Sequence, residues 1–112
     1  MGDALTEQII GAAIEVHRIL GPGLLESIYE EALCIELQLR GIAVERQVAI
    51  DVHYKGQVIK GQRVDLLVAG AVIVELKSVA KLPDVATAQV MSYLKATGLK
   101  RALLMNFGSP RL

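Results

Sequence analysis

The spacing of apolar residues predicts two helices in the first part of the chain. Apolar side chains recur every three or four positions from Leu5 to Leu20, as on one face of a helix, and the Gly-Pro-Gly sequence at 21–23 should end that segment. A second segment with the same period runs from Leu25 to Arg40, and Gly41 follows it as a stop signal. The pattern therefore predicts a pair of helices joined by a short corner.

The period then shortens to two, which is typical of strands. Val44 to Val52 alternates between apolar and polar positions, the Lys-Gly sequence at 55–56 indicates a turn, and Gln57 to Lys60 reads as a short continuation. Val64 to Val68 and Val72 to Leu76 are nearly continuous apolar runs, as expected for strands that are buried on both faces. These segments predict a sheet with interior strands.

A third helix and a last strand complete the pattern. The Pro-Asp sequence at 83–84 opens a helical segment that ends near Thr97, with Gly98 as its stop, and Arg101 to Met105 is a final apolar run. The predicted order is α-α-β-β-β-α-β, which indicates an α/β (α+β) fold with a mixed sheet flanked by helices. The length of 112 residues fits one domain over residues 1–112.

The charge balance limits how the protein could hold a nucleic acid. The 12 basic and 12 acidic residues give a formal net charge of zero, so no global field attracts phosphate. The aromatic residues are Tyr29, Tyr54, Tyr93 and Phe107, which is a small supply for base stacking. Binding to nucleic acid would therefore need locally gathered basic residues, an oligomer or a partner.

Other features of the composition predict a cytoplasmic protein. The longest uncharged apolar run, Leu66 to Val74, is far shorter than the roughly 20 residues of a membrane span. The first residues lack the features of a signal peptide, and the single Cys34 cannot form an internal disulfide. We expect Cys34 to be buried and unreactive. We expect His17, on an apolar helical face, to be a hydrogen-bonded core residue.

Two of the apolar strands carry charged residues in their interiors. Burying a carboxylate is costly unless it is paired or binds a metal. Asp65 lies in one strand and Glu75 in the next, and Lys77 shares a strand face with Glu75. A two-residue turn at 69–70 would put Asp65 and Glu75 on opposite faces of the hairpin. A three-residue turn at 69–71, with Gly70 left-handed, would pair them directly.

The three-residue turn would bring the two carboxylates close together. Their β-carbons would lie ~4.5–5.5 Å apart, and carboxylates at that distance repel unless a cation lies between them. Oxygen ligands with no His or Cys nearby suit Mg²⁺ or Mn²⁺, and Lys77 would stand beside the metal. A plain ladder of ion pairs with Arg63 and Lys77 explains the same residues, and the pattern alone does not separate the two explanations.

Together these features resemble the PD-(D/E)xK nuclease superfamily. The core order of that superfamily is α-β-β-β-α-β, and its motif places an Asp on one strand and Glu-x-Lys on the next, as Asp65, Glu75 and Lys77 do. The stretch from Gly23 to Tyr29 is similar to the signature of the GxxExxY family, a small bacterial and archaeal group in that superfamily. The resemblance covers nearly the whole chain, through residues 41–42, 46–47, 65–68, 72–77, 89, 93–94 and 106–107.

The resemblance implies a role for each residue of the motif. Asp65 and Glu75 would be metal ligands, the carbonyl of Leu76 would be a backbone ligand, and Lys77 would be the catalytic lysine. Glu26, near the start of the second helix, corresponds to an acidic residue that often adds to the metal shell. Without the resemblance, Glu26 simply favours the positive end of its helix. The implied cofactor is Mg²⁺ or Mn²⁺.

The resemblance also implies contacts with the substrate. Gln89 and Tyr93 match the Q-x3-Y motif of RecB-like exonucleases, and their spacing independently places them on one helical face. Gln89 would reach the site or a substrate phosphate, and Tyr93 would pack below it. Arg63 belongs to a set of basic residues that could form a phosphate-binding rim, although a solvated surface explains that set as well.

Two functions are consistent with the sequence. The first is a Mg²⁺-dependent nuclease that hydrolyses phosphodiester bonds, with DNA as the expected substrate because the Q-x3-Y resemblance leans toward DNA ends. The second is a non-catalytic or partner-dependent module that keeps the nuclease fold and works as a homo-oligomer or in a larger assembly. Neutral charge and few aromatic residues favour the second function, and exposed apolar residues such as Phe107 would then form the subunit contacts.

Overall fold

Three helices and four strands follow one another in the predicted order. The computed structural model describes residues 3–112. Among these residues, no helix has both the length and the apolar character that crossing a membrane requires. The elements are α1 (Ala4–Leu20), α2 (Glu26–Leu39), β1 (Val44–Tyr54), β2 (Gln57–Val68), β3 (Val72–Lys77), α3 (Asp84–Thr97) and β4 (Arg101–Asn106).

The strands form one mixed sheet in the order β1-β2-β3-β4. β2 runs antiparallel to both β1 and β3, whereas β4 lies parallel to β3. Parallel neighbours need a crossover connection, and α3 lies in it. β3 is buried at every position from Val72 to Leu76, as its continuous apolar run predicts. The predicted fold, a mixed sheet flanked by helices, is confirmed.

The β1–β2 hairpin is longer than the apolar pattern suggests. The pattern separates Gln57 to Lys60 from a strand that begins at Val64, and this separation is wrong. β2 is one continuous strand, which pairs with β1 from the turn onward, beginning with Tyr54 opposite Gln57. The turn-proximal part of β2 is exposed and has only Val58 and Ile59 as apolar residues before Val64, so backbone pairing with β1 and not burial defines it as a strand.

Helices cover both faces of the sheet. α1 and α2 enclose one core, in which residues of β2 and β3 such as Leu66 and Val74 are fully buried. α3 contributes Tyr93 to a second core that contains Val64 and Ile73. Burial of each large apolar side chain stabilises the fold by roughly 1.5–3 kcal/mol. The two cores together hold β2 and β3 between layers of helix.

Tyr29 fixes the corner between α1 and α2. Its hydroxyl donates a hydrogen bond to the carbonyl of Gly21 over 2.5 Å and accepts one from the N–H of Leu24 over 3.0 Å. Its ring stacks on Phe107, with the ring centroids 4.4 Å apart. The chain that enters α2 is therefore held against the end of β4, and this sets the position of Glu26, the first residue of α2.

The structure decides three expectations about individual side chains. Phe107 is fully buried between Tyr29 and His17, so the expectation of an exposed contact residue is wrong. His17 is buried, and its Nε2 donates to the carbonyl oxygen of Ser109 over 2.9 Å, which confirms a hydrogen-bonded core histidine. Cys34 is buried, and burial raises the pKa of its thiol, which disfavours the reactive thiolate.

Candidate metal centre

The hairpin register places Asp65 and Glu75 at facing positions on β2 and β3. Leu66 pairs with Val74, so the next pair, one position farther from the turn, is Asp65 with Glu75. The turn is the three-residue alternative, residues 69–71, and its first two residues have positive φ angles of 53° and 65°. A three-residue turn with left-handed backbone is a usual hairpin connection. The direct pairing of the two carboxylates is therefore the register that the structure adopts.

Each of the two carboxylates binds the backbone of the opposite strand. The N–H of Asp65 donates to Oε1 of Glu75 over 2.8 Å, and the N–H of Leu76 donates to Oδ2 of Asp65 over 2.8 Å. These reciprocal hydrogen bonds lock both side chains between the strands. The second oxygen of each carboxylate, Oδ1 of Asp65 and Oε2 of Glu75, lies outside this reciprocal pair and can face a ligand.

Burial makes both carboxylates hard to ionise, and the charge of Asp65 adds to this effect at Glu75. The side chain of Glu75 belongs to a residue that is only 7% exposed, and burial, followed by the charge of Asp65, raises its pKa to about 7. Burial is also the main cause that raises the pKa of Asp65. Both carboxylates together with burial raise the pKa of Tyr93. A site with this much unbalanced negative charge favours a cation.

More acidic than basic groups surround the pair. The charge of Glu26 contributes to the raised pKa of Glu75, and the charge of Glu30 contributes to that of Asp65. Lys77 opposes both effects, because its positive charge lowers the pKa of each carboxyl. Two sequence-predicted residues, Glu26 and Lys77, therefore lie within electrostatic range of Glu75.

The alternative explanation, a ladder of ion pairs, is not what the structure shows. Within residues 3–112, the ion pairs link other residues, and none joins Asp65 or Glu75 to Arg63 or Lys77. Arg63 is exposed on β2, two residues before Asp65. Lys77 is half-buried at the end of β3. The two carboxylates are thus held by backbone N–H groups, with their charge only partly balanced.

The donor set fits a hard divalent cation. Mg²⁺ usually binds through one or two carboxylates and keeps several waters. Asp65, Glu75 and the nearby carbonyl of Leu76 offer oxygen ligands of that kind. Across residues 3–112, no group of three or more His, Cys, Asp or Glu side chains is arranged to hold a metal ion. Glu26, the first residue of α2, is exposed, and it forms no such group with Asp65 and Glu75.

The residues of the predicted Q-x3-Y motif lie at different depths. Tyr93 is buried in the core that contains Val64 and Ile73, and burial together with the charges of both carboxylates raises its pKa. Gln89 is exposed one turn earlier on α3, and no hydrogen bond in the described part of the chain joins it to Asp65 or Glu75. Its predicted contact with a substrate phosphate stays a prediction.

Sequence reasoning missed a polar network beside Asp65. Glu30 is 9% exposed and accepts hydrogen bonds from Arg46 over 3.0–3.1 Å and from Gln47 over 2.7 Å. One signal was present, since Glu30 follows Glu26 by four positions and therefore shares its helical face. The partners on β1 carry no such signal, because Arg46 and Gln47 are the kind of polar residues found on any exposed strand.

We expect replacement of Glu75 by glutamine to stabilise the metal-free protein at high pH. The pKa of Glu75 is about 7 in the folded state against 4.5 in an ordinary carboxyl. The unfolded chain therefore ionises first as pH rises, so stability is lost between about pH 4.5 and 7. Glu75→Gln removes this loss. The free energy of unfolding of this variant should exceed that of wild type by about 3 kcal/mol at pH 8 and match it near pH 4.

Urea unfolding in the presence of a chelator, at several pH values between 4 and 8, measures this difference. Glu45→Gln is the matched control, because Glu45 is exposed on β1 and the same substitution there should leave the pH dependence unchanged. A constant difference between wild type and Glu75→Gln across the pH range would contradict the prediction.

Comparison with known proteins relates the chain to one protein family. Residues 3–112 match the family model described as the PD-(D/E)XK nuclease superfamily. The search of curated proteins found no match, and neither did the search of solved structures. The match spans every element described above, including both carboxylate-bearing strands.

Proposed function

The chain belongs to the PD-(D/E)XK nuclease superfamily, and on that premise we propose that it is a metal-dependent nuclease that hydrolyses phosphodiester bonds. One observation carries the proposal: Asp65 and Glu75 face each other on adjacent strands with raised pKa values, and Lys77 is the basic group beside them. The superfamily generally uses divalent metals. We propose Mg²⁺ or Mn²⁺ here, because every available ligand atom is oxygen.

In the proposed mechanism, Asp65, Glu75 and the Leu76 carbonyl hold the metal, and Glu26 adds negative charge at the edge of the site. When bound, the metal polarises the scissile phosphate and lowers the pKa of the attacking water. Lys77 supports the attack by orienting that water or by holding a phosphate oxygen. The attack forms a bond from water oxygen to phosphorus and breaks the bond to the leaving oxygen, which takes up a proton.

The proposed substrate is DNA, held by exposed residues of β2 and α3. Arg63 lies on β2 two residues from Asp65, and its exposed side chain can reach a phosphate. Gln89 is exposed on α3 one turn from Tyr93, which is buried near the carboxylates. Both positions flank the site, so a strand crossing the carboxylates would meet both. The weak overall charge predicts modest affinity that falls as salt rises.

Two finer assignments belong to the same proposal. We place the chain in the GxxExxY group, because Gly23, Glu26 and Tyr29 occupy the signature positions and Tyr29 fixes the loop that positions Glu26. We also propose a cytoplasmic location, since the chain has a single, buried cysteine and no disulfide to benefit from an oxidising compartment.

The test is metal binding followed by a cleavage screen. Calorimetric titration of Mg²⁺ and Mn²⁺ at low salt should give binding to wild type that vanishes in Asp65→Asn, which keeps an acceptor for the Leu76 N–H. Cleavage of single-stranded DNA, duplex DNA and RNA should then require metal and fall to background in the same variant. Asp51→Asn is the matched control, because Asp51 pairs with Lys60 away from the site. A wild type that neither binds metal nor cuts any nucleic acid contradicts the proposal.

A second candidate is the non-catalytic interaction module, and a groove at the β4 edge of the sheet favours it. The groove has a volume of about 500 Å³ and is lined by Ile10 and Ile14 of α1 and by Leu103 and Leu104 of β4. Neighbouring strand residues point to opposite faces, so a groove lined by both leucines follows the edge of β4. Light scattering separates the candidates, because a monomer that degrades DNA unaided contradicts the module.

A further inference from the structure

Gln47 has an unusual backbone conformation in the middle of β1. Its φ angle is 51°, in the left-handed region that residues with a side chain rarely adopt. Lys55 and Ala69 also have positive φ angles, but both lie at hairpin turns, where such angles are expected. Gln47 is inside a paired strand, where neither hairpin geometry nor a glycine accounts for the conformation. Strained residues of this kind are concentrated at functional sites.

The position of Gln47 is directly opposite Asp65. Arg46 pairs with Leu66 and Val48 pairs with Val64, so Gln47 and Asp65 occupy the corresponding places between these pairs. Three neighbouring strands therefore carry Gln47, Asp65 and Glu75 side by side across the sheet.

The hairpin also changes its packing partner at this point. Val44 packs against the core of α1 and α2, whereas Val48 packs against the core that contains Tyr93. With regular alternation, Val44 and Val48 would share a face. The left-handed residue lies between them and breaks the alternation. The change of packing partner thus coincides with the left-handed residue, and the Gln47 side chain reaches Glu30 of α2.

The side-chain amide of Gln47 is anchored by a buried carboxylate. Its Nε2 donates to Oε1 of Glu30 over 2.7 Å. The other oxygen of Glu30, Oε2, accepts from Nε and Nη2 of Arg46 over 3.1 and 3.0 Å. Arg46 also pairs with Glu31 through Nη1. Glu30 is therefore satisfied on both oxygens, and it fixes which way the amide of Gln47 points.

We propose that Gln47 is a positioning residue for Asp65: one N–H of its amide is fixed by Glu30, and the other is directed at the Asp65 carboxylate. This inference rests on the proposed function, because it concerns how a metal ligand is oriented. Asp65 occupies the facing position on β2, between the pairs that Arg46 and Val48 form with that strand. The contact with the Gln47 amide holds Oδ1 or Oδ2 in place while the remaining lone pairs face the metal.

Partners of this kind commonly change metal affinity by 10- to 100-fold when they are lost. The backbone conformation gives a sharp test, because glycine adopts the left-handed region without strain. Gln47→Gly relieves the backbone strain but loses the hydrogen bond to Glu30, so its urea midpoint in the presence of a chelator should stay close to that of wild type. The same variant should bind Mn²⁺ about tenfold more weakly by calorimetry. A purely structural role of Gln47 predicts the opposite result, a less stable protein with unchanged affinity.

Lys55→Gly is the matched control. Lys55 has a φ angle of 48° in the β1–β2 turn, so the substitution relieves the same kind of strain away from the carboxylates. It should leave the affinity for Mn²⁺ unchanged. Gln47→Asn is the second variant if Gln47→Gly fails to fold, since asparagine tolerates the left-handed region and its shorter amide does not span Glu30 and Asp65. Unchanged Mn²⁺ affinity in a folded Gln47 variant overturns the proposal.

A measurement on the metal-free protein separates this inference from the proposed function. The side-chain amide resonances of Gln47 in an NMR spectrum should shift when Asp65 is replaced by asparagine and should not shift in Asp51→Asn. Absence of that shift overturns the positioning role even if wild type binds metal. If wild type binds no metal but the shift is present, the proposed function fails and the contact between Gln47 and Asp65 is still supported.

Discussion

Replacement of Lys77 by methionine is expected to reduce metal-dependent cleavage by about a thousandfold while the affinity for Mn²⁺ stays within about threefold of wild type. Lys77 stands at the end of β3, half-buried, on the same strand face as Glu75. Methionine preserves much of the apolar stem and removes only the charged group. The substitution therefore tests the chemical step separately from the assembly of the metal site.

The expected division of roles follows from the contacts of the three residues. Asp65 and Glu75 bind the backbone of each other's strand and carry the oxygen ligands, so their loss removes the metal. Lys77 offers no metal ligand, and its charge acts on both carboxyls from the side. An ammonium group beside the reacting phosphate stabilises charge that develops during attack, and it matters for the rate more than for metal binding.

Single-turnover cleavage and calorimetry on the same preparation measure the two quantities. Lys81→Met is the matched control, because Lys81 is exposed in the loop after β3 and makes no contribution to the pKa of either carboxyl. Equal cleavage rates in wild type and Lys77→Met would show that Lys77 balances charge in the site and takes no part in the chemical step. Loss of Mn²⁺ binding in Lys77→Met would place the residue in the metal site and contradict the division of roles.

The carboxylate pair could be anticipated from the sequence because its signals are local. Apolar runs identify β2 and β3, and the register of their hairpin depends on a turn of a few residues. The sequence left two registers open, since Ala69 and Gly70 fit either a two-residue or a three-residue turn. The structure selects the three-residue turn, with left-handed backbone at both residues, and this choice places Asp65 opposite Glu75.

The network around Gln47 could not be anticipated, because its signals are not local. Nothing in the residue type of Gln47 indicates a left-handed backbone, which sequence reasoning assigns to glycine or asparagine. Glu30 resembles any solvated helical glutamate until α2 is packed beside β1. The network depends on packing contacts among α2, β1 and β2. The periodicity of apolar residues describes each element separately and does not indicate which elements pack together.

The same limit applies to the loop that follows Lys77. The resemblance to the nuclease superfamily includes Asn106 and Phe107 but assigns them no role. In the structure, the Asn106 side chain clamps Val79: its Oδ1 accepts from the Val79 N–H over 3.1 Å, and its Nδ2 donates to the Val79 carbonyl over 2.9 Å. The end of β4 therefore holds the chain two residues beyond Lys77.

Gly108 completes this contact, and Gly108→Ala is expected to destabilise the protein by about 3 kcal/mol or more. A β-carbon on Gly108 would lie 2.3 Å from the carbonyl oxygen of Val79 and 2.4 Å from its nitrogen. These are backbone atoms, so no side-chain rotation relieves the overlap. The loop after β3 must move, which breaks the Asn106 clamp and displaces Lys77. Urea unfolding should therefore show lower stability, and cleavage should fall with it.

Gly11→Ala gives the opposite expectation with the same change in atoms. Gly11 lies in α1, where a β-carbon would approach only the flexible end of Arg40 at 3.1 Å. Alanine is the better helix former by about 1 kcal/mol, so this variant should be as stable as wild type or more so, with unchanged cleavage. A Gly108→Ala protein with wild-type stability would show that the loop after β3 can move without a loss of stability. Lys77 would then owe its position to β3 alone, because the clamp from β4 would contribute nothing to the site.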